Sequence, residues 1–519
     1  MRFQASEALL TFAFACSLYA LSPSLDAQPA AARMAAATEN KIATREALEQ
    51  MRAGGNAVDA AVSAALVGGV VSPSSSGLGG GGFALVWHAR EKKPFLLDFR
   101  ETAPLAIDVG SLESRRVAKP ERGRWIGIPG EPRGLFEIHQ RFGVRRWKEI
   151  VAPAVRWAEQ GFPLGEHVAN TLTSMRDELH IDAAIHALYY PLGRPALVGT
   201  RVRNPALAAT LKRLRDEGPQ AIYEGSIAAQ IVEESHKLGG AVSRADLAAY
   251  RAVQRTPLQI SWEGYDVYSM PPPSAGGLML AEVLGLFSSA ELRKLGLQSG
   301  EYAHVLAEAM RVSILDRVLY LGDPDQEKID LGRLLSKDRL VRIKSHLNPK
   351  LTHSIPSAGL SEHGTHHLVT ADVEGNMVSL TTTINNAFGA KVTAGPSGIL
   401  LNDELDDFTR QNQIIDFGPF RSPNRARPGA RPVSSMTPTL VVRNGEPVLA
   451  LGGSGGLTIA TNVTQVLLAR LAFHQSPEQA VRAPRFLVPM LTKPPPAPGS
   501  PSTAVKVGAT IQLEPGAPA

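Results

Sequence analysis

Near residues 350–364 the chain passes through NPKLTHSIPSAGLSEHG, a polar stretch without periodicity that divides two unlike halves. From about residue 135 up to this break, apolar residues recur mostly at helical spacing. A short strand pair around LQISWEGYDVYSM and the loop PPPSAGG interrupt them. After the break, runs at 365–371, 376–384, 397–401, 438–443 and 447–452 read as strands, and a clear helix follows from about Leu457 to Phe473. Any fold for this chain must pack both kinds of element.

The first residues carry their own signals. A helical pattern from Thr38 stops at Gly54-Gly55. Asn56, with Asp59 three residues on, can cap a second, alanine-rich helix to about Val71. SPSSSGLGGGG follows, then FALVWHA and FLLDFRE joined by the turn REKKP. Gly77, Gly79 and Gly82 have the spacing of a dinucleotide loop. That loop needs a strand before it and a helix after it; here the order is reversed, which excludes it.

The chain has 519 residues, 44% hydrophobic and 20% charged, enough for one large core or two closely packed parts. A net charge of +5 is too small a surplus to mark a nucleic-acid surface. The densest basic stretch, FRSPNRARPGARP (420–432), interleaves arginine with proline and glycine and reads as a solvated loop. At the N-terminus, Arg2 precedes an apolar run from Ala8 to Leu21, and SLDAQPAAA then offers small residues for cleavage after Ala27. Residues 1–27 are therefore expected to be a signal peptide, with a periplasmic or secreted product; an uncleaved anchor, and membrane attachment, is the alternative. The only cysteine, Cys16, lies inside that segment, so the mature chain would have no disulfide or thiolate chemistry.

The segment after Gly364 reads as a hairpin with the loop Val373–Gly375, glycine taking the position that needs positive φ. Asp372 opposite Asn376 places Thr365 opposite Thr383, and period-2 alternation adds Asn385 to that face. Threonines are also ordinary strand residues, so this grouping alone decides nothing. His363, His366 and His367 lack the spacing of a helical zinc pair, and neighbours on a strand point to opposite faces. Asp403, Glu404, Asp406 and Asp407 lie between apolar residues, which argues that some are buried; they would suit an ammonium group or a metal. VLALGGSGGLTIATNV is strand, glycine turn and helix, a geometry that aims free backbone N–H groups at an anion. It lacks the lysine of a phosphate loop, so a carboxylate or an oxyanion fits better.

Nine segments together carry a resemblance. GGNAVDAAVSAAL, SSSGLGGGGFALV, LDFRETAP, YSMPPPSAGG, YLGDPD, GTHHLVTADVEGN, SGILLNDELDDF, RPVSSMTPT and GGSGGLTI occur in the order found in gamma-glutamyltransferases, autoprocessing N-terminal-nucleophile (Ntn) hydrolases. The match runs from about residue 33 to 487. It implies an α/β (α+β) fold, a four-layer αββα sandwich with two stacked, mainly antiparallel sheets. It implies cleavage between Gly364 and Thr365 into a large subunit (28–364) and a small one (365–519) that stay together as a heterodimer. Thr365 would be the nucleophile, its freed α-amine the base, and Thr383 the threonine that hydrogen-bonds it. Arg100, Ser434 and Ser435 would hold the α-carboxylate of a γ-glutamyl group, Asn385, Glu404 and Asp407 its α-ammonium, and Gly455 and Gly456 the oxyanion. The substrates implied are glutathione and other γ-glutamyl compounds, with water, amino acids or peptides as acceptors and no cofactor, metal or nucleic acid. A related acylase that takes glutaryl amides, or a catalytically inactive homologue, is the alternative. The stretch between Asp407 and Ser434 would be a substrate-covering lid, with Phe417 or Phe420 as its aromatic contact. Two departures from the family lie at His366, where a small residue is usual, and Val369, where serine is common. The tail from about 488 also differs: the family's final strand and Asp-Pro-Arg stretch are absent, which would leave sheet edge groups unpaired.

Overall fold

The pattern of burial along one strand shows how the layers stack. In β2 (Gly81–His88), Ala84 and Val86 pack into one apolar cluster while Phe83, Leu85 and Trp87 pack into another. A strand buried on both faces must lie between two layers. The computed structural model describes residues 34–113, 119–179, 181–348, 350–351, 364–410, 420–488 and 512–513. The signal segment, His363 and Phe417 fall outside them.

The strands flanking β2 are β1 (Ala35–Thr38), β3 (Lys93–Phe99), β4 (Val253–Arg255), β7 (His366–Ala371) and β8 (Met377–Thr383). They form a six-stranded antiparallel sheet in the order β1-β7-β8-β2-β3-β4. A second, four-stranded sheet has the order β10-β9-β6-β5, from β5 (Leu258–Trp262), β6 (Tyr265–Ser269), β9 (Thr439–Arg443) and β10 (Glu446–Leu451). Ser379 joins the sheets directly: its hydroxyl donates to Leu451 O at 2.9 Å and accepts from Thr439 N at 3.1 Å.

Helices close both sides. α1 (Lys41–Arg52), α2 (Ala57–Val71), α3 (Glu131–Phe142), α4 (Trp147–Gln160) and α5 (Pro205–Glu217) cover the outer face of the six-stranded sheet. α6 (Gly276–Leu286), α7 (Gly300–Tyr320) and α8 (Ile459–Leu471) cover the four-stranded one. The result is the αββα sandwich that the resemblance implied. The α2 cap forms as read: Asn56 and Asp59 make a reciprocal capping box. Asp372 then fixes α2 to the hairpin, its Oδ2 accepting from Ala57 N at 2.8 Å while Oδ1 accepts from Glu374 N and Asn376 N.

Two expectations need correction. Residues from Ala35 to Thr38 form an edge strand, and the first helix begins only at Lys41. AAAT has helix propensity but no partner there, whereas β7 offers a ladder from Ala371 back to Leu368. The expected strand at 397–401 is absent: Gly395–Ser397 form a 3-10 turn and Gly398 adopts φ +70°. Only single bridges remain, Thr393 to Leu400 and Gly79 to Leu401. In the tail, where the sequence left either disorder or poorly packed strand open, Gln512–Leu513 pair with Phe486–Leu487.

Candidate active site

The hairpin register is the one read from sequence. β7 and β8 pair His366 with Thr382 and Ala371 with Met377, which sets Thr365 opposite Thr383. β8 then pairs Thr383 with Gly81, and β2 pairs Gly82 with Phe99, so Arg100 comes next to Gly81. Thr365, Thr383, Gly81 and Arg100 thus form one row across the end of the sheet. Alternation turns the whole row toward the second sheet, as His367 of the same face shows by packing on Gly452. Three strand spacings separate the Thr365 and Arg100 backbones, roughly 14 Å.

At the nucleophile end, Thr365 is buried and its hydroxyl donates to the Gly364 carbonyl. Gly364 has φ +83°, and a Cβ there would lie 2.5 Å from Asn385 O, so only glycine fits before Thr365. Thr383 Oγ1 accepts from Asn385 N at 2.8 Å rather than bonding Thr365. Asn385, itself at φ +70°, donates its side-chain amide to Asp403 O at 3.0 Å. The glycine turn after β10 gives Gly455 φ +115° and Gly456 φ +59°, and neither amide makes a backbone hydrogen bond among the described residues.

The other end is a buried charge cluster. Arg100 is 1% exposed; its guanidinium reaches Glu404 and, at 2.5 Å, Asp407 Oδ2, while Nε donates to Pro432 O at 3.2 Å. Arg100, Glu404 and Asp407 therefore meet, but the acids' immediate partner is the arginine itself. In a dry site opposite charges neutralise each other first. Asn424 ties the acid segment to the serine segment, donating to Asp407 O at 2.7 Å and accepting from Val433 N at 2.8 Å. Ser434 and Ser435 are both buried, and the PPPSAGG loop braces them: Ser274 Oγ donates to Ser434 O at 3.2 Å and Met436 O at 2.7 Å. Of the two phenylalanines expected in a lid, Phe420 is half-buried.

Sequence reading missed three participants. Glu101 lies beside Glu404, and burial pushes its carboxyl up to about 8 although Arg100 pulls it down. Burial likewise holds Glu404 well above the usual carboxylate range. At least one acid of this group is therefore protonated at neutral pH, which reduces the charge packed around Arg100. Arg317 of α7 donates to Ser435 Oγ at 2.6 Å and to Val433 O at 3.2 Å. Glu39 accepts from His367 N at 3.1 Å and burial pushes it up to about 7, with Ser454 of the glycine turn as its other partner. Glu101 stands inside LDFRETAP and Arg317 inside an apolar helical run, so both signals were present in the sequence.

The adjacent histidines diverge. His366 packs against Gly68 of α2, and His367 faces the second sheet, its Nδ1 paired with Thr381 Oγ1 at 2.8 Å. They cannot share a metal. Burial lowers them to about 4 and about 3, so both are neutral at physiological pH.

A model of the gamma-glutamyltranspeptidase family matches residues 43–516. The chain belongs to that family. The match extends beyond residue 487, where the resemblance in the sequence was read to stop. The glutathione hydrolase proenzyme of Pseudomonas sp. (strain A14) is 34% identical over 495 residues, 93% of this chain and 86% of that one. The Escherichia coli (strain K12) glutathione hydrolase proenzyme is 33% identical over 471 residues, 87% of this chain and 80% of that one. Among solved structures, the cephalosporin acylase from Bacillus halodurans superposes with a TM-score of 0.77 at 26% identity, over 90% of this chain and 86% of that one. Helicobacter pylori gamma-glutamyltranspeptidase gives 0.58 at 29% identity, covering 61% of this chain and 92% of that chain. The protein is thus an enzyme of the Ntn-hydrolase fold, and no described helix is long and apolar enough to cross a membrane.

Proposed function

We propose that this family member is a glutathione hydrolase and γ-glutamyl transferase that matures by cutting itself between Gly364 and Thr365. The observation that carries the reading is the row from Thr365 to Arg100, with a nucleophile at one end and an amino-acid clamp at the other. In the precursor, Thr365 Oγ, already hydrogen-bonded to the Gly364 carbonyl oxygen, attacks the carbon of that carbonyl. The amide nitrogen leaves as a free amine, and water hydrolyses the resulting ester. An α-amine with a pKa of about 7.7–8.0 then sits within reach of Oγ and can take its proton. Thr365 attacks the γ-amide carbonyl, the oxyanion lies toward the Gly455 and Gly456 amides, and the protonated amine departs. Water or an acceptor amino acid or peptide resolves the glutamyl ester.

Arg100 supplies the guanidinium fork for the α-carboxylate, joined by Ser434 and Ser435. Asn385, Glu404 and Asp407 supply the acceptors for the α-ammonium. In this scheme the substrate's zwitterion enters the Arg100–acid pairs, trading one charge pair for two. A glutaryl group has no α-ammonium and would leave Glu404 and Asp407 without a new partner, which disfavours an acylase despite the overlap with one. The large and small products form the heterodimer, and export to a periplasm or beyond suits the N-terminal segment.

The test is intact mass and N-terminal sequencing of the purified protein, followed by turnover of γ-glutamyl and glutaryl p-nitroanilides. Two chains, one beginning Thr-His-His-Leu, with γ-glutamyl turnover strongly preferred, are expected. Equal turnover of both anilides would sink the reading, as would an uncut, inactive chain.

A further inference from the structure

A cavity of about 540 Å³ opens between α7 and the helix Lys337–His346 on the helical layer over the four-stranded sheet. None of the residues assigned above to the γ-glutamyl site lines it. Its walls carry Arg311, Arg333, Arg339 and Arg342, with Glu308 as the only carboxylate among the lining residues. Between the arginines the lining is apolar, from Val312, Leu334, Ile343 and Leu347.

The positive charge is only partly offset. Arg339 bonds Glu282 Oε1 at 2.9 Å and also Asp316, and Arg311 bonds Glu308 Oε1 at 2.5 Å. Arg333 lies over the Tyr320 ring, 5.0 Å from its centroid. Among the described residues, neither Arg333 nor Arg342 has a carboxylate within ion-pair distance. Arg311 is 5% exposed, yet its buried Nε–H meets no acceptor among the described residues. A buried donor left unmade costs about 1–3 kcal/mol, more for a charged group, and a ligand oxygen would remove that cost. The volume lies in the range of small-molecule sites, which are mostly apolar with a few fixed polar groups.

We propose that this cavity binds an amphipathic anion: a phosphate monoester, or a head of like charge, on a compact apolar body. The head sits among Arg311, Arg333 and Arg342, with the planar forks suited to its oxygens. The body lies on Val312, Leu334 and Ile343.

The probe is 1-naphthyl phosphate, titrated calorimetrically into the purified protein, with 1-naphthol and inorganic phosphate as controls. L-Glutamate is present at saturation to block the γ-glutamyl site. One-site binding is expected, at least tenfold tighter than for either control and weakened by added salt. Arg333 and Arg342 are exposed, so R333Q/R342Q keeps the fold; it should bind at least tenfold more weakly with γ-glutamyl turnover unchanged. R311Q should weaken binding as well. Equal binding of 1-naphthol, wild-type affinity in R333Q/R342Q, or binding seen only when L-glutamate is left out would each overturn the assignment.

Discussion

Helix α2 and strand β7 meet where neither leaves room for an added atom. A Cβ built on Gly68 would lie 2.2 Å from Cε1 and 2.4 Å from Nδ1 of His366, and the ring is fully buried. Gly68 sits inside a helix without unusual backbone angles, so alanine there should gain about 1 kcal/mol of helix propensity. Against that stands overpacking, typically about 1–3 kcal/mol, and so short an approach belongs at the upper end. Gly68→Ala alone should therefore destabilise by about 2 kcal/mol. Once His366→Ala has removed the ring, the same change should stabilise by about 1 kcal/mol. The sign reverses, and the coupling is about 3 kcal/mol. Urea unfolding of the wild type, both single variants and the double variant gives the cycle, in which the cavity cost of His366→Ala cancels. The ring follows Thr365 by one residue, so Gly68→Ala should also slow cleavage at Gly364, read by intact mass over time. Effects that add within about 0.5 kcal/mol would refute the argument, because residues in contact should couple and distant ones should not.

Thr365→Ala should leave a folded, single, inactive chain; any two-chain product in that variant would remove Thr365 from the chemistry. Asp407→Asn should still be cut but show KM raised tenfold or more, and wild-type kinetics would dissolve the ammonium assignment. Arg317→Met frees the Ser435 hydroxyl, and kcat/KM for γ-glutamyl substrates should fall about tenfold with cleavage intact; unchanged kinetics would leave Arg317 a purely structural residue. Glu131, fully buried, is pushed up to about 8 by burial against an ordinary 4.5, although the Gly77 backbone pulls it down. Below pH 4.5 it is protonated whether the chain is folded or not, and its contribution is fully present. As pH rises toward 8, only the unfolded chain ionises, and stability falls by about 1.4 kcal/mol per pH unit. Glu131→Gln should therefore lose about 3 kcal/mol less than wild type between pH 5.5 and 8, and parallel curves would count against that proton.

The local grammar of the chain was legible wherever a short stretch determines its own geometry. Gly375 at φ +85° fixes the turn, the turn fixes the pairing of β7 with β8, and that pairing places Thr365 opposite Thr383. The Asn56 cap and the glycine turn before α8 were readable for the same reason. What stayed hidden depends on partners far away in sequence. Ala35–Thr38 become a strand only because β7 lies alongside. Arg100 meets Glu404 and Asp407 across some three hundred residues, and composition cannot say that the acids will neutralise the arginine rather than stand open. Glu101 and Arg317 enter the site through burial and tertiary hydrogen bonds, which no spacing rule encodes.

The order of the six-stranded sheet has a kinetic meaning. β7 and β8 come after Gly364, yet they sit between β1 and β2, which come before it. In the proposed cleaved form the two polypeptides would still share one sheet through two complete ladders, β1 with β7 and β8 with β2. Separating them means opening the middle of the sheet and both cores together, a step close to global unfolding. Dilution should not dissociate them, and isotopically labelled and unlabelled preparations should not trade pieces on mixing. The same interleaving suggests that the pieces, expressed as separate genes, must meet before either has folded.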